Sequence, residues 1–314
     1  MALTKEAGVS PQGIHAFHKR LANSAVDIAA GSKVAALLAK KIVPVLLERS
    51  TVELTEFFGM EHLAELKPYL EQGYNFRLML PHESQADAGP MIVLADAVRV
   101  KYPDKIKKYL LPVAETMEGG QQGSPLEALY TNGVEQTLQR HEIYPDGIIS
   151  DNDIKSRGMQ KTSDTIGIRT ALAFKRPTIG ILMFPEAIME GGRFKPGTVE
   201  MNGLQDPAES ASEAIDFDLE LNENIVYLVA SIHGGYEVFS PQTKFFTARG
   251  IEMITNPMLY RLGNIQMQEK PIVVHVNKPF TSHDIRSSGK PGAQFIMEKI
   301  AEVHPRNAQG KFRR

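Results

Sequence analysis

His82 and Asp87 are the residues of this 314-residue chain whose types and spacing point most directly to chemistry. They lie in Pro81-His82-Glu83-Ser84-Gln85-Ala86-Asp87-Ala88-Gly89-Pro90, between the apolar runs Phe76 to Leu80 and Met91 to Leu94. An imidazole titrates near neutrality and can act as a general base. A carboxylate on its other nitrogen fixes the tautomer and stabilises the imidazolium that forms. If the substrate supplies the hydroxyl, no protein nucleophile is needed. Five positions on an ideal helix amount to about 500° of rotation, so the two side chains would not share a helical face. They meet only if the backbone between them leaves helical geometry. Gly89-Pro90 predicts an irregular segment here, because Pro disfavours helical geometry in the residue before it. The alternative is a surface histidine at a strand end and an Asp87 that caps a helix.

Two further stretches share this layout. Ile179 to Phe184 reads as a buried strand that ends in Pro185-Glu186, followed by Glu190-Gly191-Gly192-Arg193-Phe194-Lys195-Pro196-Gly197. Glycines beside Arg193 and Lys195 can wrap an anion, since backbone N–H groups come close and the guanidinium fork suits phosphate oxygens. A solvated turn has the same composition. Ile225 to Ile232 reads as a strand ending in His233-Gly234-Gly235-Tyr236-Glu237. Ligand sites in open α/β sheets gather outside the carboxyl ends of strands, so His82, Glu186 and His233 at three strand ends form a candidate site. Asp151 to Arg157 follows the short run Gly147-Ile148-Ile149, and its Lys155 and Arg157 can add to an anion pocket or lie in a solvated loop.

The elements that must position these residues follow from pattern. Residues 1 to about 70 read as helical. Ser10-Pro11 starts a helix, Ile14, Phe17, Leu21 and Val26 keep helical spacing, and Glu61 to Glu71 is amphipathic and stopped by Gly73. From Tyr74 short apolar runs take over, including Tyr109 to Val113. They alternate with helical segments such as Pro125 to Arg140 and Thr162 to Phe174. Strands alternating with helices predict an α/β fold, a largely parallel mixed sheet flanked by helices and preceded by a helical region. The expected organisation is a helical region over 1–70, an α/β domain over 71–304, and a frayed basic tail over 305–314 with Arg306, Lys311, Arg313 and Arg314.

Composition narrows the function. Hydrophobic residues make up 42% and the formal net charge is −2, so a large core is possible and a dedicated nucleic-acid binder is not expected. The chain has no Cys, which removes disulfides, thiolate metal sites and a cysteine nucleophile and fits a reducing cytoplasm. His82 has no second His at i+3 or i+4, and no metal is implied. Val34 to Leu47 is too short to span a membrane and is interrupted by Lys40, Lys41 and Pro44. Met1-Ala2-Leu3-Thr4-Lys5-Glu6 lacks the charged-then-apolar order of a signal peptide.

Taken in order, these pieces resemble the glycerolipid acyltransferase family, over about residues 75 to 278. The family's Asn-His-x4-Asp resembles Pro81-His82 through Asp87, with Pro81 in place of Asn. Its Phe-Pro-Glu-Gly-Thr-Arg-Ser resembles Phe184-Pro185-Glu186 and, in a shifted register, Glu190-Gly191-Gly192-Arg193. Ala187-Ile188-Met189 replaces Gly-Thr-Arg. Ala230 to Glu237 resembles the fourth motif, and Asp151 to Arg157 loosely matches the second. In character the chain is similar to the soluble glycerol-3-phosphate acyltransferases.

The resemblance implies transfer of a fatty acyl group to a hydroxyl of glycerol 3-phosphate or a lysophospholipid. The donor would be an acyl-carrier-protein or coenzyme A thioester, and no cofactor is involved. His82 would be the base and Asp87 its orienter. Arg193 and Lys195, with Lys155 and Arg157, would hold the phosphate, while Glu186, Glu190, Gly191, Gly192 and His233 would support them. It further implies a cytoplasmic protein with weak peripheral contact at the cytosolic face of a membrane and no nucleic-acid partner. The rival expectation, favoured by Pro81 and Ala187, is a non-catalytic lipid- or acyl-carrier-binding protein with the same fold.

Overall fold

The computed structural model describes residues 54–82, 87–114, 137–148, 176–186, 203–235, 272–305, 309 and 312. Strand β1 (Thr55–Phe58) leads into a 3-10 helix (Met60–Leu66) and helix α1 (Lys67–Glu71), then β2 (Asn75–Met79). Helix α2 (Ala88–Lys101) is followed by β3 (Lys108–Ala114), β4 (Ile143–Ile148) and β5 (Ile179–Met183). Helix α3 (Glu209–Leu221), β6 (Ile225–His233), β7 (Ile272–Val276) and β8 (Phe280–Thr281) come next. Helices α4 (Ser282–Ser288) and α5 (Gly292–Val303) close the described chain.

These strands form one 8-stranded sheet in the order β1-β7-β6-β2-β5-β3-β4, with β8 on β6. Strands β4, β3, β5, β2 and β6 run parallel. Strands β7 and β8 are antiparallel to β6, and β1 is parallel to β7. The expected α/β class and mixed, mostly parallel sheet are therefore present.

Two-residue alternation sorts the strands' side chains into two cores. On one face Phe76, Leu78 and Leu80 of the β2 segment and Val226, Leu228, Ala230 and Ile232 of β6 pack with Met91, Leu94 and Val98 of α2 and with Leu63, Leu66 and Leu70. On the other face Met79, Ile181, Met183, Tyr227 and Val229 pack with Ile215 of α3 and Ile296, Met297 and Ile300 of α5. Arg77 falls on this second face with no exposure, and Asp218 of α3 neutralises it. Its Nε and Nη2 donate to the two Asp218 carboxylate oxygens at 2.5 and 2.7 Å, and Nη1 donates to the Phe76 carbonyl at 3.0 Å. Asn222 Nδ2 donates to Asp218 Oδ1 at 2.7 Å. A buried charge is tolerated only when paired and bonded this fully.

The helical reading of residues 1–70 needs correction where the structure describes it. Thr55–Phe58 is a strand whose residues pair with Ile272 to His275, so the sheet begins ahead of residue 71. Pairing with a distant strand overrides the local pattern here. Residues 1–53, including Val34 to Leu47, lie outside the described residues. So do Thr162 to Phe174 and all of Pro125 to Arg140 except its last turn.

The frayed tail is likewise corrected at two positions. Gln309 Nε2 donates to the carbonyls of Ala301 and His304, both at 2.9 Å, and Phe312 packs against the second core.

Two buried phenols register this packing. Burial, then the Asp96 charge, holds Tyr109 well above its ordinary 10.0. Burial, then Asp218, does the same to Tyr227. Their folded values lie above the unfolded one, so their stabilising contribution is complete below about pH 10 and is lost as pH rises beyond it. In an alkaline titration followed by phenolate absorbance, Tyr109 and Tyr227 should ionise only as the chain unfolds, with urea stability falling from about pH 10 upward. Ionisation of all 9 tyrosines near 10 in a folded protein would refute this.

Candidate functional site

The sheet brings His82 and Asp87 together. The backbone pairing of β2 extends one residue past Met79, since Leu80 donates its N–H to the Met183 carbonyl at 3.1 Å. Pro81 then offers no N–H, which ends the ladder. His82 follows at the rim, on the face that carries Leu80. Helix α2 packs on that same face, so Asp87 at its start approaches the ring. His82 Nδ1 and Asp87 Oδ2 are 2.9 Å apart. An ionised carboxylate only accepts, so Nδ1 carries the hydrogen and the basic lone pair sits on Nε2. Asp87 is fully buried, whereas the His82 side chain is 26% exposed. The imidazole also lies against Phe184 at the end of β5, with ring centroids 4.7 Å apart and a 30° tilt.

This geometry separates the two readings of Asp87. It occupies the N-cap position of α2, yet its side chain makes no capping hydrogen bond. The carboxylate turns to His82 instead, while the positive end of the helix dipole still favours its charge. The irregular segment expected between His82 and Asp87 falls on residues 83–86, outside the described residues, and the Gly89-Pro90 pair that suggested it is helical. Both residues lie in the first turn of α2, where no intrahelical partner exists for the N–H that Pro lacks. Asp87 itself has helical φ and ψ.

Glu186 and His233 stand at the same end of the sheet, at the carboxyl ends of β5 and β6, as expected. Their surroundings differ from that of His82. Glu186 is buried, and its Oε1 accepts the Gln205 backbone N–H at 2.6 Å. It also forms a bridge with Pro207, while Ala208 donates to the Pro185 carbonyl at 2.8 Å. Glu186 thus anchors the segment leading into α3. His233 follows Ile232 and therefore points to the opposite face from His82, a correction to the expectation of one shared cluster. Its ring meets His304 edge-on at 5.2 Å, and His304 Nδ1 is 2.6 Å from the buried Ser231 Oγ.

Lys155, Arg157, Glu190, Gly191, Gly192, Arg193 and Lys195 lie outside the described residues, as does Met189. Met183, at the end of β5, is buried in the second core. Among the described residues no group of three or more His, Cys, Asp or Glu side chains could hold a metal ion.

Sequence reasoning missed several partners. Gln205, Ser231 with His304, and a second His–Asp pair formed by His141 and Asp96 carry no local signature. The members of the pairs stand 19, 73 and 45 positions apart.

No protein-family model matches this chain, and no curated protein matches it significantly.

The anchoring role of Glu186 makes a distinction between two variants. Glu186→Gln keeps a carbonyl oxygen for the Gln205 N–H and should unfold in urea close to the parent. Glu186→Ala leaves that donor unmet and should cost about 1–3 kcal/mol. Equal losses in both variants would show that the negative charge, rather than the acceptor, matters.

Proposed function

We propose that the protein is an O-acyltransferase that moves a fatty acyl group from a thioester to a glycerol-type hydroxyl. The observation that carries this reading is the Asp87–His82 hydrogen bond at the carboxyl end of the sheet, with Nδ1 committed to a buried carboxylate. The motif order that resembles the glycerolipid acyltransferases supports it. In this scheme the acceptor oxygen attacks the thioester carbonyl carbon as His82 Nε2 takes its proton. Asp87 stabilises the imidazolium. The tetrahedral intermediate then collapses, the C–S bond breaks, and the leaving thiolate receives that proton from His82. Both substrates react directly, so much of the rate comes from positioning rather than from an acyl-enzyme.

The acceptor is glycerol 3-phosphate or a lysophospholipid, and the donor an acyl-carrier-protein or coenzyme A thioester. Arg193 and Lys195, with Lys155 and Arg157, hold the phosphate, with Glu190, Gly191 and Gly192 in support. No cofactor takes part. The reaction belongs at the cytosolic face of a membrane, through peripheral contact only. Among the described residues no helix is long and apolar enough to cross a bilayer.

A second reading, a binding protein that keeps the fold without turnover, is favoured by Pro81 and Ala187 at motif positions. Release of free thiol from acyl thioesters, with glycerol 3-phosphate or lysophosphatidate supplied in turn, separates the two. The enzyme reading expects acceptor-dependent thiol release that drops by roughly a hundredfold or more in His82→Ala, with thioester binding retained. Thioester binding without release would establish the binding protein, and full activity in His82→Ala would sink the mechanism. Arg193→Ala should raise KM for the phosphorylated acceptor more than for the donor. An equal effect on both would remove Arg193 from the phosphate site.

A further inference from the structure

Helix α2 begins at the carboxylate that orients His82, so whatever fixes the helix along its axis also fixes that hydrogen bond. Its apolar face, Met91, Leu94, Ala95 and Val98, supplies burial but little direction. The directional contacts sit a little over two turns from Asp87, at Ala95 and Asp96. The fully buried Tyr109 of β3 donates its hydroxyl to the Ala95 carbonyl at 2.9 Å. Its ring lies over Gly180 of β5, where a Cβ would come within 2.6 Å of Tyr109 Cε1. The next helical residue, Asp96, receives His141 Nδ1 at 2.5 Å on Oδ2 and Arg99 Nη2 at 2.9 Å on Oδ1.

His141 is itself held in a formed turn. Its N–H bonds to the Leu138 carbonyl at 2.9 Å, and that of Glu142 to Gln139 at 3.1 Å. Glu142 adopts φ 58°, a left-handed conformation that a non-glycine residue keeps only where its surroundings enforce it. Its carbonyl accepts the Tyr109 backbone N–H at 2.7 Å, so Tyr109 and His141 belong to one bonded unit. That unit grips α2 at Ala95 and Asp96, about 12 Å along the axis from Asp87. A regular helix is stiff over this distance, and close packing passes a shift at one end to the other.

We propose that Tyr109 and His141 are positioning residues that set the axial position of α2 and thereby the Asp87–His82 hydrogen bond. This rests on the general-base reading of His82 given above. Three variants test it. Tyr109→Phe removes one hydroxyl and keeps the ring, His141→Ala removes the bond to Asp96, and His141→Asn restores a donor near Nδ1. The first readout is the downfield proton resonance of His82 Nδ1–H, assigned by its loss in His82→Ala. The second is acyl transfer.

In Tyr109→Phe and His141→Ala the His82 resonance should move upfield, and its exchange with water should quicken on the order of tenfold. In both, kcat should fall while KM for donor and acceptor stays within about twofold, and His141→Asn should recover most of each change. An unmoved His82 resonance in both variants, with only Tm lowered, overturns the proposal and leaves the two residues structural. A resonance that responds in a protein with no thioester turnover supports the positioning and overturns the acyltransferase reading instead.

Discussion

The carboxyl end of this sheet is organised around the cost of burying the Asp87 carboxylate. Asp87 has no exposed surface, and an ionised carboxylate in that setting carries a penalty of several kcal/mol unless donors compensate it. The helix N-terminus supplies part of the compensation through its dipole. The His82 ring supplies a directed hydrogen bond. For that bond to form, β2 must end with an even-numbered residue on the face shared with α2, and it must stop pairing there. The alternation of Phe76, Leu78 and Leu80 into the first core meets the first condition. Pro81, with no N–H to give, meets the second. The proline at a motif position therefore has a structural account of its own, as the residue that releases β2 from the sheet one position before the histidine.

The middle of β2 is built for the opposite purpose. Arg77 is as buried as Asp87, but its fork is occupied by both oxygens of Asp218 and by the Phe76 carbonyl. Asp218 is shared with Asn222, and Tyr227 closes the region by stacking on Phe280 at 5.4 Å. One strand thus carries a sealed charge pair on one face at its middle and leads into a partly open one on the other face past its end. The sealed pair joins β2 to α3. The open pair leaves an imidazole edge at the rim, where a parallel sheet gathers the ends of β5, β2 and β6.

Strands buried on both faces were legible because they read as unbroken apolar runs. Strands β2, β5 and β6 are of that type, β3 reads as an apolar run as well, and the expected bounds of all four agree with the observed ones to within a residue or so. Strand β7 is half-exposed at Val273 and His275, β8 has two residues, and β1 is a four-residue edge strand, so none announces itself locally. At the site, His82, Asp87, Glu186 and His233 were placed at the correct end of the sheet by their position after such runs. That His233 faces away from His82 depends on strand register, which a motif spacing does not contain. The partners of Glu186, Ser231 and Asp96 lie on other segments and became visible only once the chain was folded.

The two His–Asp pairs on α2 show how similar bonds come to serve different ends. In both, an imidazole Nδ1 meets a carboxylate oxygen. Asp96, however, is also engaged by the Arg99 guanidinium on its second oxygen, and it remains 28% exposed. Its charge is divided between two donors and screened by water, which suits it to fastening a turn to a helix. Asp87 is buried at a helix N-terminus, out of reach of such screening, and its Oδ2 is given to the ring beside it. Its imidazole, in contrast, reaches the rim. A group that must gain and lose a proton needs both conditions at once, a steady carboxylate on one nitrogen and access at the other. Of the two pairs only His82–Asp87 satisfies both, which is why the proposed chemistry is placed at the start of α2 and the proposed positioning role at its middle.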